Sequence, residues 1–537
     1  MKRLETIQRR KLASAYGGFG SIIETKDNGS LLIDDYSRWG CYSGRQLRVN
    51  PPRTVEDPRL LRFLRDRYPH LQTLYSIPLS DSLNVYTASS DDLRYTKLSR
   101  YFPTWFYCTN PNCRELHRLP EWKEKWDQEF PEDQRFDKNY PACPRCSRMR
   151  ADGSIFRRPL EQIRFCMASM DSGDLADIPF EKFFAPEVAL GGDDTICDLS
   201  TVNNGDIPLE YRTSASSDGL QSISIVSGGR AITMAQIARP FILDQSQALN
   251  NPLTAYKIVL RNGNNVYFPN IIHSLYIPVD NNQPLPNQLD YDNQEYYYIT
   301  DPNGYDGYGV KSRQDFYSVR YDQLAAPFMR GMYAIHRLKE NSVIPSYTRI
   351  SNGPHRWWDI ENNRVTEEMQ PRSVVAKSID GRNHFLPVVE SYGEGIFLDI
   401  DIANIVPGER DIFVHTLSHI IMKEIEFQCG YPLSSLREKI YRKEDQSGYG
   451  ILIYTVGGAE GSYGGLVSLL PPEPDANTGG KLPTLIQNAL ERAKDCPNDP
   501  ICLEEEGHCF ACTDIPEISC CQWNGNLDRR IVLRYMP

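Results

Sequence analysis

The sequence predicts a multidomain α+β protein with a zinc-ribbon module, a central mixed β-rich region and a C-terminal α-helical zinc-binding domain. The chain has 537 residues, which is more than one ordinary hydrophobic core can hold. Ten of its 14 cysteines lie in two clusters, at 108–146 and 496–521. Short apolar–polar alternations dominate the middle of the chain, whereas helical periodicity dominates its last third.

The first part of the chain predicts short strands and one helix. Residues 14–33 combine a Gly-rich loop, a strand, a turn at Asp27-Asn28-Gly29 and a second strand. The glycines are not followed by the Lys-Ser/Thr pair of a phosphate-binding loop, so a structural turn is favoured. Residues 55–68 place leucines at helical spacing, and the polar stretch 203–229 predicts a loop with short strands.

The middle and the last third differ in their expected elements. Residues 252–300 alternate apolar and polar residues and predict short strands. Residues 279–312 are crowded with Asn, Asp, Gly and Tyr and predict a long loop. The last third predicts a helix over 411–427 that stops at Gly430, a second helix over 433–442, a buried strand over 450–456 and a third helix over 482–494.

Two close cysteine pairs predict a zinc site in the first cluster. They are Cys108-x4-Cys113 and Cys143-x2-Cys146, with turn-forming residues inside each pair. A zinc ribbon brings four thiolates to one tetrahedron in this way. Four ligands leave no open coordination position, so the site is expected to be structural and not catalytic. Four buried free thiols are the alternative.

The second cluster predicts another zinc site and leaves its ligand set open. Six thiols compete for four positions, and Cys509-x2-Cys512 is the firmest pair. The expected ligands are Cys496, Cys502, Cys509 and Cys512, with Cys520 and Cys521 as competitors. The chain is therefore expected to hold two structural Zn2+ ions.

Two histidines on the predicted helix form half of a zinc-protease motif. His415 and His419 stand at i and i+4 and so share one helix face. Thr416 occupies the position where H-E-x-x-H has its general-base Glu. Packed or hydrogen-bonded structural histidines are therefore favoured over a catalytic metal site.

Charge and missing motifs exclude several function classes. The formal net charge of −11 opposes coating of nucleic acid by the chain itself. No G-x4-G-K-[ST] loop and no G-x-S-x-G elbow occurs, so we expect no enzyme. A metal-dependent nuclease built from dispersed carboxylates stays open as an alternative.

One basic stretch after the first cysteine cluster is the local exception to the acidic balance. A solvated charged face is favoured there over a DNA contact. If these arginines do contact DNA, the chain would be a stand-alone nucleic-acid sensor. The arginines are Arg145, Arg148, Arg150, Arg157, Arg158 and Arg164.

The cellular location is expected to be the cytoplasm, without membrane contact. No run of about 20 apolar residues occurs, and the basic N-terminal segment lacks the apolar stretch of a signal peptide. Reduced, clustered cysteines fit that compartment.

The last third contains a specific order of motifs. HTLSHIIMKEIEFQCGYPLSSLREKI leads into GILIYTV and EGSYGGLV, and the tail continues as LERAKDCPNDPICLEEE, CFACTDIPEISC and NLDRR. This order resembles the zinc-binding domain at the C-terminus of MrfA-type superfamily 2 helicases, which also occurs in stand-alone helicase partners.

The rest of the chain resembles the DrmB family of the DISARM bacteriophage-defence system. The motifs that carry this resemblance are YGGFGSIIE, FPTWFYCTNPNC, NNVYFPNIIHSLYIP, HRLKENSVIPSYTRI and LPVVESYGEGIFL, which together cover nearly the whole chain. One departure is clear, because RFCMASMDSGDLADIPF has Met170 and Asp174 where the family has Cys and His. The middle metal site is thus lost, which indicates a related defence system and not DISARM proper.

The resemblance implies five segments. They are 1–100, an N-terminal α+β segment; 101–165, the zinc-ribbon module; 166–245, a degenerate second finger and loop region; 246–400, the central β-rich region; and 401–537, the C-terminal helical zinc-binding domain.

The resemblance also implies a function. The chain would be a non-catalytic partner subunit of a DrmA-like superfamily 2 helicase encoded nearby, shaping how that helicase engages DNA. DNA would be contacted through the complex. The expected helicase-binding surfaces are the C-terminal region and the strands around Tyr267 and Phe268.

Overall fold

A computed structural model gives the architecture of most of the chain. The described residues are 9–14, 17–27, 29–42, 44–78, 97, 99–133, 136, 139–169, 173–188, 190, 197–203, 205–215, 219–244, 253–263, 266–278, 291–349, 356–359, 364–367, 372–377, 383–443, 448–456, 465–472, 480–522 and 524–536.

Strands dominate the described part of the chain. The strands are β1 (Ile22–Glu24), β2 (Ser30–Ile33), β3 (Thr73–Ser76), β4 (Ser99–Tyr101), β5 (Trp105–Cys108), β6 (Glu115–Arg118), β7 (Ala142–Met149), β8 (Ile155–Gln162), β9 (Phe165–Ser169), β10 (Leu175–Ala176), β11 (Cys197–Asp198), β12 (Leu209–Thr213), β13 (Ile223–Ser227), β14 (Arg230–Thr233), β15 (Phe241–Asp244), β16 (Leu253–Leu260), β17 (Phe268–Leu275), β18 (Val310–Arg313), β19 (Phe316–Tyr321), β20 (Met329–Thr348), β21 (Arg356–Asp359), β22 (Arg364–Glu367), β23 (Arg372–Ser373), β24 (Ala376–Lys377), β25 (His384–Ile400), β26 (Leu436–Arg442) and β27 (Tyr449–Val456). The α-helices are α1 (Gly44–Val49), α2 (Pro58–Arg67), α3 (Leu119–Glu129), α4 (Met234–Ile237), α5 (Tyr291–Thr300), α6 (Arg410–Cys429), α7 (Leu482–Arg492), α8 (Ile501–Glu504) and α9 (Arg529–Arg534).

The chain divides into two compact units, each built from separate stretches of sequence. Unit 1 comprises 1–53, 77–271 and 344–387. Unit 2 comprises 54–76, 272–343 and 388–537. The α+β class is confirmed, and four helices, α6 to α9, lie among the described residues after position 400. The five expected segments remain a prediction.

Unit 1 contains a seven-stranded sheet in the order β14-β13-β12-β6-β5-β8-β7 and a five-stranded sheet in the order β10-β9-β16-β15-β11. Residues of both sheets share one core, in which Trp105, Phe180 and Phe241 are buried. The hairpin β7–β8 extends the larger sheet and forms the zinc-ribbon module with α3.

Unit 2 contains an antiparallel sheet with the order β18-β19-β20-β25-β27-β26. Helix α6 contributes Phe413, Leu417 and Ile421 to the same core as sheet residues such as Ile396 and Ile451. A helix buried on this scale needs apolar residues around most of its circumference, which the sequence of α6 supplies. It ends at Gly430, whose φ of 72° is the left-handed conformation that favours glycine at a helix terminus.

Two expected elements of unit 2 are wrong. The predicted helix over 433–442 is strand β26, which pairs antiparallel with β27. Arg437 and Lys439, which suggest a solvated helix face, instead form ion pairs with the buried carboxylates Glu340 and Glu295. Tertiary partners outside the segment therefore overrode its local helical pattern.

The loop expected over 279–312 contains helix α5 and strand β18. Tyr296 and Ile299 of α5 are buried in an aromatic core, so packing stabilises a helix that composition alone does not favour. Residues 279–290 lie outside the described residues. None of the described helices combines the length and apolar character needed to cross a bilayer.

Candidate metal centres

The first cysteine cluster is assembled by the strand order β5-β8-β7. Cys108 ends β5 opposite Leu160 of β8, and Cys143 lies near the start of β7 opposite Arg158 of the same strand. The central strand thus places both cysteines at one end of the sheet. The ligand atoms of Cys108, Cys113, Cys143 and Cys146 all lie within 4.8 Å of one another.

The surroundings of this cluster fit a thiolate–metal site. The backbone N–H of Asn110 donates to Cys108 Sγ at 3.5 Å, and its side-chain amide donates to Cys146 Sγ at 3.2 Å. Hydrogen bonds of this kind stabilise negative charge on sulfur. Contact with Cys113 raises the pKa of Cys108, and contact with Cys108 raises the pKa of Cys143. Thiols this close cannot all lose their protons easily, because the resulting thiolates repel one another. A bound divalent cation would neutralise that repulsion.

The second cluster lies beyond helix α7. Cys496 Sγ is 3.5 Å from Cys509 Sγ, and Cys512 Sγ is 3.7 Å from both Cys502 Sγ and Cys509 Sγ. A tetrahedral zinc with Zn–S bonds of about 2.3 Å requires sulfur–sulfur edges of about 3.8 Å. Disulfide bonds would need sulfur atoms about 2 Å apart. These four residues therefore have a geometry suited to zinc.

The thiols of the second cluster also differ in acidity. Burial raises the pKa of Cys502 and of Cys512. Burial also raises the pKa of Cys509, but contact with Cys496 and hydrogen bonds from Asn498 and from the backbone of Cys512 together outweigh burial and bring that pKa down to about 6. Asn498 donates its backbone N–H to Cys496 and its side-chain amide to Cys509, both at 3.4 Å. The two competitors from the sequence, Cys520 and Cys521, stand apart from this set of four.

The two histidines of helix α6 are fully buried, as the sequence predicts for packed residues. The structure brings their Nε2 atoms together with Glu438 of β26 and Cys520 of the tail. Sequence reasoning missed these partners, because they are distant along the chain and no local spacing signals them.

The basic stretch is partly neutralised within unit 1. Arg145 pairs with Glu115, and Arg157 pairs with Asp133 and lies 4.4 Å above the ring of Trp126. Arg148 and Arg150 are exposed and lie against the ring of Phe156. The side chain of Arg158 is half-buried. The five arginines therefore do not form one uniform cationic surface.

The structure also describes residues of the lost middle metal site and of the second expected helicase-binding surface. Met170 lies outside the described residues, whereas Asp174 forms an ion pair with Arg372. Tyr267 is buried and donates its hydroxyl to the carbonyl of Phe19 at 2.9 Å. One of the two residues that mark the second expected helicase-binding surface therefore has its hydroxyl bonded inside unit 1.

Two known protein families match this chain, one over its first half and one near its C-terminus. Residues 8–268 match a family described as a Domain of unknown function (DUF8724). Residues 417–513 match the MrfA Zn-binding domain, and all four cysteines of the second cluster fall within that range.

A curated relative matches part of the chain. The DISARM protein DrmB of Bacillus paralicheniformis is 28% identical over an alignment of 252 residues, with 39% of this chain and 41% of the relative covered. The alignment thus spans about two fifths of that relative's length. The chain is thus similar to DrmB over part of its length, and it matches the MrfA Zn-binding domain near its C-terminus.

Proposed function

We propose that this chain is a non-catalytic partner subunit of a superfamily 2 helicase in a DISARM-like antiphage defence complex. The observation that carries the proposal is a zinc-binding domain of helicase type in a chain that lacks a Walker A loop. The similarity to DrmB supports a place in a defence complex. In this proposal Cys108, Cys113, Cys143 and Cys146 hold one structural zinc, and Cys496, Cys502, Cys509 and Cys512 hold another.

The zinc-binding domain displays two exposed aromatic rings. Phe510 lies between two cysteines of the second cluster and is 76% exposed, and Phe427 of helix α6 is 67% exposed. Lys423 donates to the carbonyl of Phe510 and lies 5.3 Å from its ring, and Arg492 lies 3.8 Å from the ring of Phe427. Aromatic rings held in place beside cations are typical anchors of protein–protein interfaces.

The helicase would bury these rings. A motor that binds DNA carries basic surface, and the net charge of −11 on this chain complements it. Charge complementarity accelerates association, so the association rate is expected to fall as salt rises. DNA would then be contacted by the assembled complex.

Co-expression with the neighbouring helicase tests the proposal. We expect the two chains to co-elute in gel filtration at moderate salt, and the double variant Phe427→Ser, Phe510→Ser to weaken the complex by about 30-fold or more, as loss of hot-spot rings does. Tyr308→Ser is the matched control, because Tyr308 is 83% exposed in unit 2 and outside the zinc-binding domain. Separate elution of the unmodified chains refutes the proposal.

The second candidate is a stand-alone nucleic-acid sensor, which the exposed Arg148 and Arg150 favour. Its signature is tight, strongly salt-dependent DNA binding by the isolated chain, lost in Arg148→Glu. If the helicase alone gives full phage protection and this signature is found, the sensor replaces the partner subunit.

A further inference from the structure

A third side-chain cluster lies inside unit 2, apart from both cysteine sets. Its members are His415, His419, Glu438 and Cys520, and one ligand atom from each lies within 4.8 Å of the others. The two histidines are fully buried, Glu438 is buried and Cys520 is half-buried. The cluster joins helix α6, strand β26 and the tail.

The distances in this cluster resemble those around a tetrahedral cation. Glu438 Oε1 is 3.1 Å from His415 Nε2 and 3.2 Å from His419 Nε2, and Cys520 Sγ is 3.3 Å from His415 Nε2. Zinc bonded to nitrogen, oxygen and sulfur at ordinary lengths sets such ligand atoms about 3.3–3.6 Å apart. The three measured separations are at or just below that range.

Hydrogen bonding alone accounts poorly for the imidazoles. His419 Nδ1 lies 3.0 Å from the carbonyl oxygen of Thr513, which can only accept, so Nδ1 carries the proton. In neutral His419 the Nε2 atom then presents a lone pair to the Glu438 carboxylate. Two hydrogen-bond acceptors would then face each other across 3.2 Å, and a cation between them removes that conflict.

Hydrogen bonding alone also accounts poorly for the imidazole of His415. Its Nε2 atom faces both Glu438 and Cys520, and a single N–H cannot align with both. A cation at the common centre satisfies both Nε2 lone pairs, the carboxylate and the thiolate together.

The groups around the cluster orient its members as a metal site requires. Ser418 donates its hydroxyl to Glu438 Oε2, which leaves Oε1 facing the histidines. The backbone N–H groups of Gln522 and Asn524 each donate to Cys520 Sγ at 3.2 Å. The bond from His419 Nδ1 to Thr513 fixes that ring, as second-shell carbonyls do for ligating histidines.

We propose that His415 Nε2, His419 Nε2, Glu438 Oε1 and Cys520 Sγ bind a third divalent transition-metal ion. Two imidazoles, one carboxylate and one thiolate form a mixed set that suits Zn2+, whereas Mg2+ and Ca2+ prefer oxygen alone. Four protein ligands close the coordination shell, so the ion is structural. It ties the tail to α6 and β26, and Thr513 links it directly to Cys512 of the second cluster.

Metal analysis of the full chain after dialysis against a weak chelator tests this site. We expect about three zinc ions in the unmodified protein and loss of one in Cys520→Ser and in His419→Gln. Cys429→Ser is the matched control, because Cys429 ends helix α6, is exposed and belongs to none of the three clusters, and it should keep all three. Loss of zinc from Cys521→Ser in place of Cys520→Ser overturns the ligand set.

X-ray absorption at the zinc edge of the unmodified chain decides the question even if the variants do not fold. Two sites of four cysteines each give only sulfur ligands, whereas addition of the third site makes three of twelve ligands nitrogen or oxygen. Two zinc ions with sulfur-only coordination overturn the proposal and leave the cluster as a hydrogen-bonded polar network.

Discussion

Replacement of Cys143 by serine tests how far the zinc-ribbon module depends on its metal. Cys143 is fully buried and shares its core with Trp122, Trp126 and Phe106. The module has two hairpins and one helix of 11 residues to bury these rings. Cys143→Ser removes one of four ligands and places a hydroxyl in that core.

The expected cost follows from comparison of two free energies. Structural zinc contributes an apparent binding free energy of about 10–16 kcal/mol in small zinc modules, and whole domains are stable by about 5–15 kcal/mol. Loss of even about 5 kcal/mol raises the equilibrium for local opening by three to four orders of magnitude. We therefore expect the module to open locally while the C-terminal zinc-binding domain stays folded.

Hydrogen exchange read by mass spectrometry measures this opening peptide by peptide. Residues 105–162 should lose protection in Cys143→Ser, and residues 410–456 should keep it. Cys197→Ser is the control, because Cys197 is a half-buried thiol of unit 1 outside the clusters and should cost about 1 kcal/mol or less. Unchanged protection over 105–162 in Cys143→Ser, with the zinc content also unchanged, would refute the reasoning.

Two further predictions concern buried carboxylates of unit 2. Glu295 is fully buried and pairs with Arg59 and Lys439. Glu295→Gln should lower the free energy of unfolding by about 3–5 kcal/mol in urea titrations, because it removes the negative charge from a buried ion-pair cluster. Burial alone would raise the pKa of Glu340, but Arg437 and His273 outweigh it and hold that pKa well below its usual range. Glu340 therefore stabilises the fold above its unfolded pKa of about 4.3, and that stability is lost as the pH falls towards the folded pKa. Glu340→Gln should accordingly flatten the decline of the unfolding free energy below about pH 4, and an unchanged slope would contradict the assignment.

The cysteine sets and the main helix could be predicted from sequence because their information is local. Each pair that forms a knuckle is separated by two to six residues, and a turn between the thiols is enough to bring them together. Helix α6 has apolar residues around most of its circumference and a glycine where it stops. Strand β27 is a short apolar run between turn-forming residues, and such a run predicts a strand that is buried on both faces.

Strand β26 and helix α5 could not be predicted because their partners lie far away in the chain. Lys439 of β26 meets Glu295 of α5, and the two residues are 144 positions apart. Without that carboxylate, the charges of LREKIYR suggest a solvated helix, and the tyrosines of α5 suggest a loop. The conformation of each segment depends on contacts with the other, so neither local sequence pattern predicts it.

Five of the proposed metal ligands lie in the tail, the segment after helix α7, which has little regular secondary structure. Its helices α8 and α9 have four and six residues, too short to be stable alone. The tail nevertheless buries Ile515 and Val532 in the core of unit 2, and the guanidinium of Arg529 donates to the carbonyl of Ala493 at 3.0 Å. Ordering each backbone residue costs roughly 1–2 kcal/mol, and two helices this short offset little of that cost through their own hydrogen bonds. In our proposals, metal bonds to the second cysteine set and to the third cluster supply further stabilisation. Chelation should therefore release the tail before it unfolds the sheet of unit 2, and simultaneous loss of both would show that the metals are not what holds it.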